Sequence, residues 1–217
     1  MITILHLYPR ELGINGDVGN VEVLAKRAQW RGAEVRRLDH HVGGALDVVP
    51  DLVHIGSGPA SGQELVWDDL DAIAPTLRKW SAAGVPFVAI AGGWQLLGQS
   101  IIGLDGATRA GAGVFETSAQ LTSKRTVGER WSATAAGFEN FGTVSARTDP
   151  IVVDNGTSVG TNLHGPFLPM NPAWADLLLT RAAAHARVTL GEPDARVELA
   201  DKYALRSRAA IRARLGL

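Results

Sequence analysis

Cysteine does not occur in this 217-residue chain. Its absence excludes disulfides, thiolate metal sites and thiol catalysis by the chain as written. Long apolar runs are missing as well, since nowhere do about 18 uninterrupted apolar residues follow one another, and no basic leader precedes an apolar stretch at the start of the sequence. The sequence therefore predicts neither a membrane span nor an export signal, and we expect a cytoplasmic protein.

A large charge of one sign is also lacking, because 21 basic side chains are balanced by 22 acidic ones. This balance argues against a nucleic-acid partner, and a solvated helix face accounts for the basic residues near the end of the chain. Hydrophobic residues make up 46% of the sequence and charged residues 20%, which is typical of a soluble globular protein. No internal repeat or linker-like change in composition is found, so residues 1–217 are predicted to form a single domain.

The sequence does contain an alternation of β-prone and helical stretches over its first hundred residues. The pattern predicts strands at Ile2–Leu7, Val35–Leu38, Leu52–Ile55 and Phe87–Ile90, and helices at Asp17–Arg31, with Asp17 as its cap, Leu65–Trp80 and Gln95–Ile101. Shorter β-like segments follow at Gly113–Leu121, Trp131–Ala135, Thr143–Ala146, Ile151–Val153 and Ser158–Asn162, and two helices at 170–187 and 197–215 end the chain. This order predicts an α/β fold, with a mostly parallel sheet extended by antiparallel strands and helices on both faces.

Two glycine-rich loops follow predicted strands, at the end of the sheet where ligands of open α/β folds lie. In one loop, Gly92 and Gly93 permit a cramped turn from strand to helix, of the kind on which enzymes mount a nucleophile. The nucleophile position itself holds Ala91. In the other loop, Gly56-Ser57-Gly58, the missing side chains let backbone N–H groups approach a substrate oxygen, as an oxyanion hole requires. Taken alone, either loop is equally explained as an ordinary tight turn.

A histidine and an arginine supply further polar chemistry. His164 ends a β-like run, where a general base would face the elbow, although a lone histidine is also common as a structural or exposed residue. Arg125 is suited to clamp a substrate carboxylate with two hydrogen bonds, and the alternative is a solvated surface arginine. Neither a metal-ligand spacing nor a phosphate-binding glycine loop occurs, so we expect no metal, no cofactor and no ATP site.

Five segments in this order carry a family resemblance. They are Leu7–Arg10, Gly16–Asn20, Ala91–Gly98, Gly137–Asn140 and Gly160–Pro166. As an ensemble they resemble the class I glutamine amidotransferases of the CobB/CobQ-like type, and most closely the GatD-like branch of that family. The resemblance spans nearly the whole chain and implies a Rossmann-like class I glutamine amidotransferase fold.

The resemblance also implies a reaction and assigns residues to it. In such enzymes a cysteine thiolate on the elbow attacks the side-chain amide of glutamine, backbone N–H groups stabilise the oxyanion, and a histidine transfers the proton. The nucleophile maps to Ala91 and the histidine to His164. The substrate contacts map to Arg125 and Gln95, and the oxyanion hole to the Gly56-Ser57-Gly58 loop with Gly92.

The acid that orients the histidine is left open by the resemblance. Many class I amidotransferases carry a glutamate two residues beyond the histidine, but Pro166 stands there in this chain. Asp17 and Glu139 are therefore the candidate orienting acids. The first loop also departs from a plain glycine run, because Ser57 lies within it.

A partner is implied as well. GatD-like subunits supply ammonia to a Mur-ligase-like ATP-dependent synthetase subunit, which amidates the D-glutamate of lipid II in peptidoglycan synthesis. The lack of an ATP loop in this chain agrees with that division of labour. A cobyrinate-type amidotransferase is the alternative within the family.

Ala91 has three explanations at this point. The chain is an amidotransferase disabled by replacement of its cysteine, or a natural relative that binds glutamine or serves as a scaffold without turnover, or an enzyme that uses a different nucleophile such as Ser57. A methyl group cannot form a thioester, so the chain as written is expected to lack cysteine-based glutaminase activity.

Overall fold

The computed structural model describes residues 1–145, 151–164 and 166–217. The strands are β1 (Ile2–Leu7), β2 (Val35–His40), β3 (Leu52–Ile55), β4 (Phe87–Ile90), β5 (Ser100–Ile102), β6 (Thr108–Ala110), β7 (Ser118–Trp131), β8 (Ala136–Ser145), β9 (Val152–Asp154), β10 (Val159–Thr161) and β11 (Leu163–His164). The helices are α1 (Val18–Trp30), α2 (Ala60–Ala82), α3 (Gly92–Leu96), α4 (Phe167–Met170), α5 (Pro172–Ala186) and α6 (Ala195–Arg214).

A six-stranded sheet forms the centre of the fold, with strand order β2-β1-β3-β4-β10-β9. All neighbouring strands are parallel except β9, which runs antiparallel to β10 at the edge. β1, β3 and β4 are buried at every residue, as expected for parallel strands that are covered on both faces.

Alternate residues of these strands face two separate apolar cores. Ile2 and Ile4 pack on one face with residues of α1 and α5. Leu5 and Leu7 pack on the opposite face with residues of α2. The period of two along each strand therefore places helices on both sides of the sheet.

The remaining strands form a second sheet of five, with order β11-β8-β7-β5-β6. Its main part is the long antiparallel hairpin β7–β8, with a register irregularity between Leu121 and Thr126. β11 pairs with β8, so this second sheet carries His164.

The connections of the central sheet locate a crevice. The chain leaves β1 for β2 on one side and then returns to β3 on the other side of β1. Ligands of open α/β sheets bind at such a reversal, outside the carboxyl ends of the strands. The loop after β1, which leads to Asp17, and the loop after β3, which contains Ser57, meet at this point, since Ser57 donates its N–H to Asp17 at 2.9 Å.

The predicted fold class is confirmed, with several local corrections. Strands Ile2–Leu7, Leu52–Ile55 and Phe87–Ile90 have the predicted bounds. Most of the antiparallel strands form the separate second sheet, and only β9 extends the parallel one. The predicted helix Gln95–Ile101 is wrong, because α3 ends at Leu96 and β5 begins at Ser100.

Two more predictions concern the second sheet. The predicted strand Trp131–Ala135 is wrong beyond its first residue, because the chain turns there from β7 into β8. The last residue of the predicted strand Thr143–Ala146 and Gly165 of the family segment lie outside the described residues. Within the described residues, every helix is too short or too polar to cross a lipid bilayer.

Candidate active site

Ala91 lies in a sharp turn between β4 and α3. Its backbone has φ 42° and ψ −105°, a conformation that residues with a side chain rarely adopt. Its N–H donates to the carbonyl of Thr161 at 2.7 Å, which fixes the turn to the end of the neighbouring strand β10. The sequence-predicted elbow is therefore present, and a methyl group occupies its tip.

Close contacts explain the two glycines that follow. A Cβ on Gly93 would lie 2.3 Å from the carbonyl oxygen of Gly56, and one on Gly92 would lie 2.6 Å from Nε2 of Gln63. Real Cβ atoms do not approach other atoms so closely. Glycine is required at position 93, because the backbone of the loop after β3 packs directly against the elbow, whereas at position 92 the close atom is the end of the flexible Gln63 side chain of helix α2.

His164 and Asp17 form a buried pair beside this turn. His164 Nδ1 lies 3.4 Å from Asp17 Oδ1, and both side chains are 0% exposed. Asp17 Oδ2 accepts the N–H of Ser57 at 2.9 Å. The expectation that Asp17 caps α1 is wrong, since its side chain makes no capping hydrogen bond and instead joins the loop after β3 to the imidazole.

The other nitrogen of His164 is available for proton transfer. Nε2 is buried, and no hydrogen-bond partner for it is found among the described residues. A histidine held by a carboxylate through Nδ1 keeps Nε2 free to accept and return a proton. β10 lies next to β4, and His164 follows β10 by three residues, so the imidazole and the elbow are at the same end of the sheet.

Glu139, the second candidate acid, has a different partner. Its carboxylate lies 3.5 Å from Arg130 Nε, and in the strand register it is opposite Leu163. Burial raises the pKa of Glu139 above its usual value, although the charge of Arg130 acts in the opposite direction. Of the two candidate acids, Asp17 is the one whose carboxylate contacts the imidazole.

The glycine-rich loop after β3 combines packing with polar contacts to the elbow. A Cβ on Gly56 or Gly58 would lie 2.2 Å from a backbone oxygen of Leu12 or Glu11 respectively, so these glycines allow two chain segments to touch. The Ser57 hydroxyl accepts the N–H of Gly92 at 3.4 Å. The sequence analysis explained the glycines of this loop by the approach of a substrate oxygen. The structure gives a second reason, because the backbone of Leu12 and Glu11 fills the space beside Gly56 and Gly58.

A cavity of about 770 Å³ opens next to the elbow helix. Its lining includes residues of α3, of the segment before β7, of β8 and β9, and the residue directly after β10: Trp94, Gln95, Phe115, Glu116, Thr143, Asp154 and Asn162. Gln95, a predicted substrate contact, faces this cavity and donates to the hydroxyl of Thr143 at 3.2 Å. Asp154 is paired with Arg181, which leaves Glu116 as the carboxylate of the lining without an ion-pair partner among the described residues.

Arg125 is placed differently from the other predicted residues. It is exposed on β7, and its guanidinium donates to the side-chain oxygen of Asn140 at 2.7 and 3.2 Å. It does not belong to the residues that line the cavity. Its predicted contact with a substrate carboxylate stays a prediction.

Sequence reasoning missed Glu116, Thr143 and Asn162 as cavity residues. The polar positions around them follow no recognisable spacing, since they come from three separate strands or loops. Asn162 lies within the family segment Gly160–Pro166, two residues before His164, and this position was the one signal in the sequence that could have identified it as a site residue.

Known proteins resemble this chain along most of its length. The GatD subunit of lipid II isoglutaminyl synthase (glutamine-hydrolyzing) of Staphylococcus aureus (strain N315) is 29% identical over 235 residues, covering 96% of each chain. The subunit of the same name from Streptococcus pneumoniae (strain R6) is 27% identical over 217 residues, covering 83% of this chain and 80% of that protein. A crystal structure of a glutamine amidotransferase shares the fold, with a TM-score of 0.53, 16% identity, and coverage of 82% of this chain and 98% of that one.

The family itself is indicated by a match over residues 3–172 to the CobB/CobQ-like glutamine amidotransferase domain. This stretch includes the elbow, the Asp17–His164 pair and the loop after β3. The chain belongs to the family of CobB/CobQ-like glutamine amidotransferase domains.

Proposed function

We propose that this chain is the glutaminase-type subunit of a two-subunit enzyme that amidates lipid II, and that Ala91 keeps it from hydrolysing glutamine. The observation that carries the proposal is the buried Asp17–His164 pair at the same end of the sheet as a strained elbow. Family membership and the similarity to the two GatD subunits support the reaction and the pathway.

The proposed reaction assigns a role to each part of the site. With a cysteine at position 91, the thiolate adds to the side-chain carbonyl carbon of glutamine, and the N–H of Gly92 stabilises the resulting oxyanion. His164 passes a proton from its Nε2 to the leaving nitrogen, which departs as ammonia. Water then adds to the thioester with His164 as the base, and glutamate leaves. Asp17 holds the imidazole and stabilises its charged form.

The cavity beside α3 is the proposed position of the glutamine. Gln95 and Asn162 offer amide groups to the substrate, and Glu116 offers a carboxylate that suits its ammonium group. Arg125 is proposed to bind the α-carboxylate, which requires its guanidinium to leave Asn140.

The nature of the partner is proposed from the resemblance to GatD-like subunits. A Mur-ligase-like ATP-dependent synthetase subunit would receive the ammonia and amidate the D-glutamate of lipid II. The need for ATP favours a cytoplasmic location for both subunits.

Substitution of Ala91 by cysteine tests this function. We expect Ala91→Cys, together with the synthetase subunit, to release ammonia from glutamine, because the Asp17–His164 pair and the N–H of Gly92 lie at the same end of the sheet as position 91. In the same background, His164→Ala is expected to lower turnover at least about a hundredfold, as is typical for a lost general acid/base. Ammonia release is measured with a glutamate-dehydrogenase-coupled assay, with the unsubstituted chain as the control.

A natural non-catalytic subunit is the second candidate, and Ala91 itself is the observation that favours it. This candidate predicts that Ala91→Cys stays silent in the presence of the partner while the unsubstituted chain still binds glutamine or the synthetase. Silence of the Ala91→Cys protein would therefore reject the disabled glutaminase and leave the binding subunit.

A further inference from the structure

Ser57 is attached to the proposed catalytic machinery at two points. Its backbone N–H donates to Asp17 Oδ2 at 2.9 Å, and its side-chain hydroxyl accepts the N–H of Gly92 at 3.4 Å. The residue is 6% exposed. A single serine thus touches both the acid that holds His164 and the amide that follows the elbow residue.

The first of these contacts removes a donor from the site. Oxyanion holes pair the N–H of the residue after the nucleophile with a second N–H from a neighbouring loop. In this chain the N–H of Ser57 is already given to a buried carboxylate, so it is not free to bind a substrate oxygen. The second donor has to come from another atom of the loop.

The hydroxyl of Ser57 lies beside the N–H of Gly92, where the oxyanion has to bind. An oxyanion must lie within about 3 Å of the N–H that stabilises it. Among the described residues, the hydroxyl oxygen of Ser57 is the only acceptor found for the N–H of Gly92. Because a hydroxyl both accepts and donates, it can accept from Gly92 and, when substrate is bound, donate to an oxyanion that binds the same N–H.

The backbone of the loop has little freedom to move a different N–H towards the elbow. The glycines on both sides of Ser57 are packed against the backbone oxygens of Leu12 and Glu11, and a Cβ at either glycine would lie 2.2 Å from that oxygen. The backbone is fixed on both sides of Ser57, whereas its side chain needs only a rotation about one bond.

We propose that the side-chain hydroxyl of Ser57, rather than its backbone N–H, is the second oxyanion donor of this site. The inference rests on the proposed glutaminase function and adds a catalytic group to it. It also gives a role to the serine that interrupts the glycine run of this loop.

The test compares two cysteine reagents in the Ala91→Cys protein, with labelling followed by intact-protein mass spectrometry. A chloromethyl ketone analogue of glutamine passes through a tetrahedral oxyanion, whereas iodoacetamide alkylates the thiolate without forming one. In Ser57→Ala and in Ser57→Gly we expect the maximal rate of ketone labelling to fall about a hundredfold. The half-saturating ketone concentration and the iodoacetamide rate should stay within about threefold. Ser61→Ala, an exposed serine near the start of α2, is the matched control and should label like the parent.

The outcomes separate this inference from the function on which it rests. Ketone labelling that is unchanged or faster in Ser57→Ala overturns the role of the hydroxyl and leaves the glutaminase proposal intact. Loss of labelling in Ser57→Gly but not in Ser57→Ala would reflect a loosened loop and also overturns it. If the Ala91→Cys parent reacts with iodoacetamide but the ketone labels it no faster than a free thiol, both the inference and the glutaminase proposal fail.

Discussion

At the scale of single residues, the backbone of Ala91 is strained, although its methyl side chain has no chemical function. A non-glycine residue held in a sparsely populated region of backbone space costs about 1–3 kcal/mol and persists only when its surroundings impose it. Here the hydrogen bond to Thr161 and the contacts of Gly92 and Gly93 impose it. Such strain is common where a reactive side chain must be presented, and the backbone here has the form of a nucleophile elbow although the side chain is a methyl group.

This strain is measurable against a neighbouring alanine. Ala91 and Ala89 are 1% and 0% exposed, so Ala91→Gly and Ala89→Gly each remove one buried methyl group. Each substitution also makes the unfolded chain more flexible. Only Ala91→Gly also relieves a positive φ. We expect it to lower the free energy of unfolding by about 1–3 kcal/mol less than Ala89→Gly does. Urea denaturation of both variants measures the difference, and equal losses would contradict a strained elbow.

Arg125 is the predicted site residue for which the structure offers a competing role. If it binds the α-carboxylate of glutamine, Arg125→Ala should weaken binding to the unsubstituted chain about tenfold or more, since hydrogen bonds to charged groups contribute roughly 1.5–3 kcal/mol. Calorimetric titration with glutamine measures this without turnover. Lys124→Ala removes the same charge at the adjacent exposed position and is the control. Unchanged affinity in Arg125→Ala would restrict the arginine to its bond with Asn140.

At the scale of secondary-structure elements, the sequence predicted best where apolar runs are short and bounded by turns. β1, β3 and β4 have the predicted bounds because strands buried on both faces have nearly continuous apolar sequences, here interrupted only by Thr3, His6 and His54. The position of the elbow was predicted for a similar reason, because paired glycines directly after an apolar strand are typical of a tight turn from strand to helix.

The failures have a common cause in long-range partners. Helical spacing predicted Gln95–Ile101, but the N–H of Gln99 bonds to the carbonyl of Thr117 and the chain continues as a strand of the second sheet. Asp17 has the sequence position of a helix cap, yet its oxygens are used by Ser57 and His164, 40 and 147 residues away. Local propensity cannot anticipate acceptors that only the folded chain brings together.

At the scale of the whole molecule, two buried histidines pack together in the central sheet, and one of them contacts helix α1. His6 on β1 and His54 on β3 are 2% and 0% exposed, and their ring centroids are 4.6 Å apart. His54 Nε2 lies 3.3 Å from Nδ2 of Asn20 on α1, whose side-chain oxygen accepts the N–H of Leu168. This contact ties β3 and α1 to the segment that follows His164, so the charge state of the histidines matters for the global fold.

Burial disfavours the charged form of both rings. It lowers the pKa of His6 to about 4. It also lowers the pKa of His54 well below its usual value, with a smaller effect of His6 in the same direction. In the unfolded chain both groups return to a pKa of about 6.5. Between these values the unfolded state binds protons that the folded state does not, so stability is complete above about pH 6.5 and falls as the pH is lowered towards 4.

The expected size of this effect can be tested with His6. A folded pKa of about 4 against an unfolded value of about 6.5 corresponds to roughly 3 kcal/mol lost between pH 7 and pH 4. His6→Asn removes that titration and should flatten the decline of the unfolding free energy by a comparable amount, measured by urea denaturation at several pH values. An equal slope in His6→Asn and the unsubstituted chain would mean that His6 is protonated in the fold at no cost.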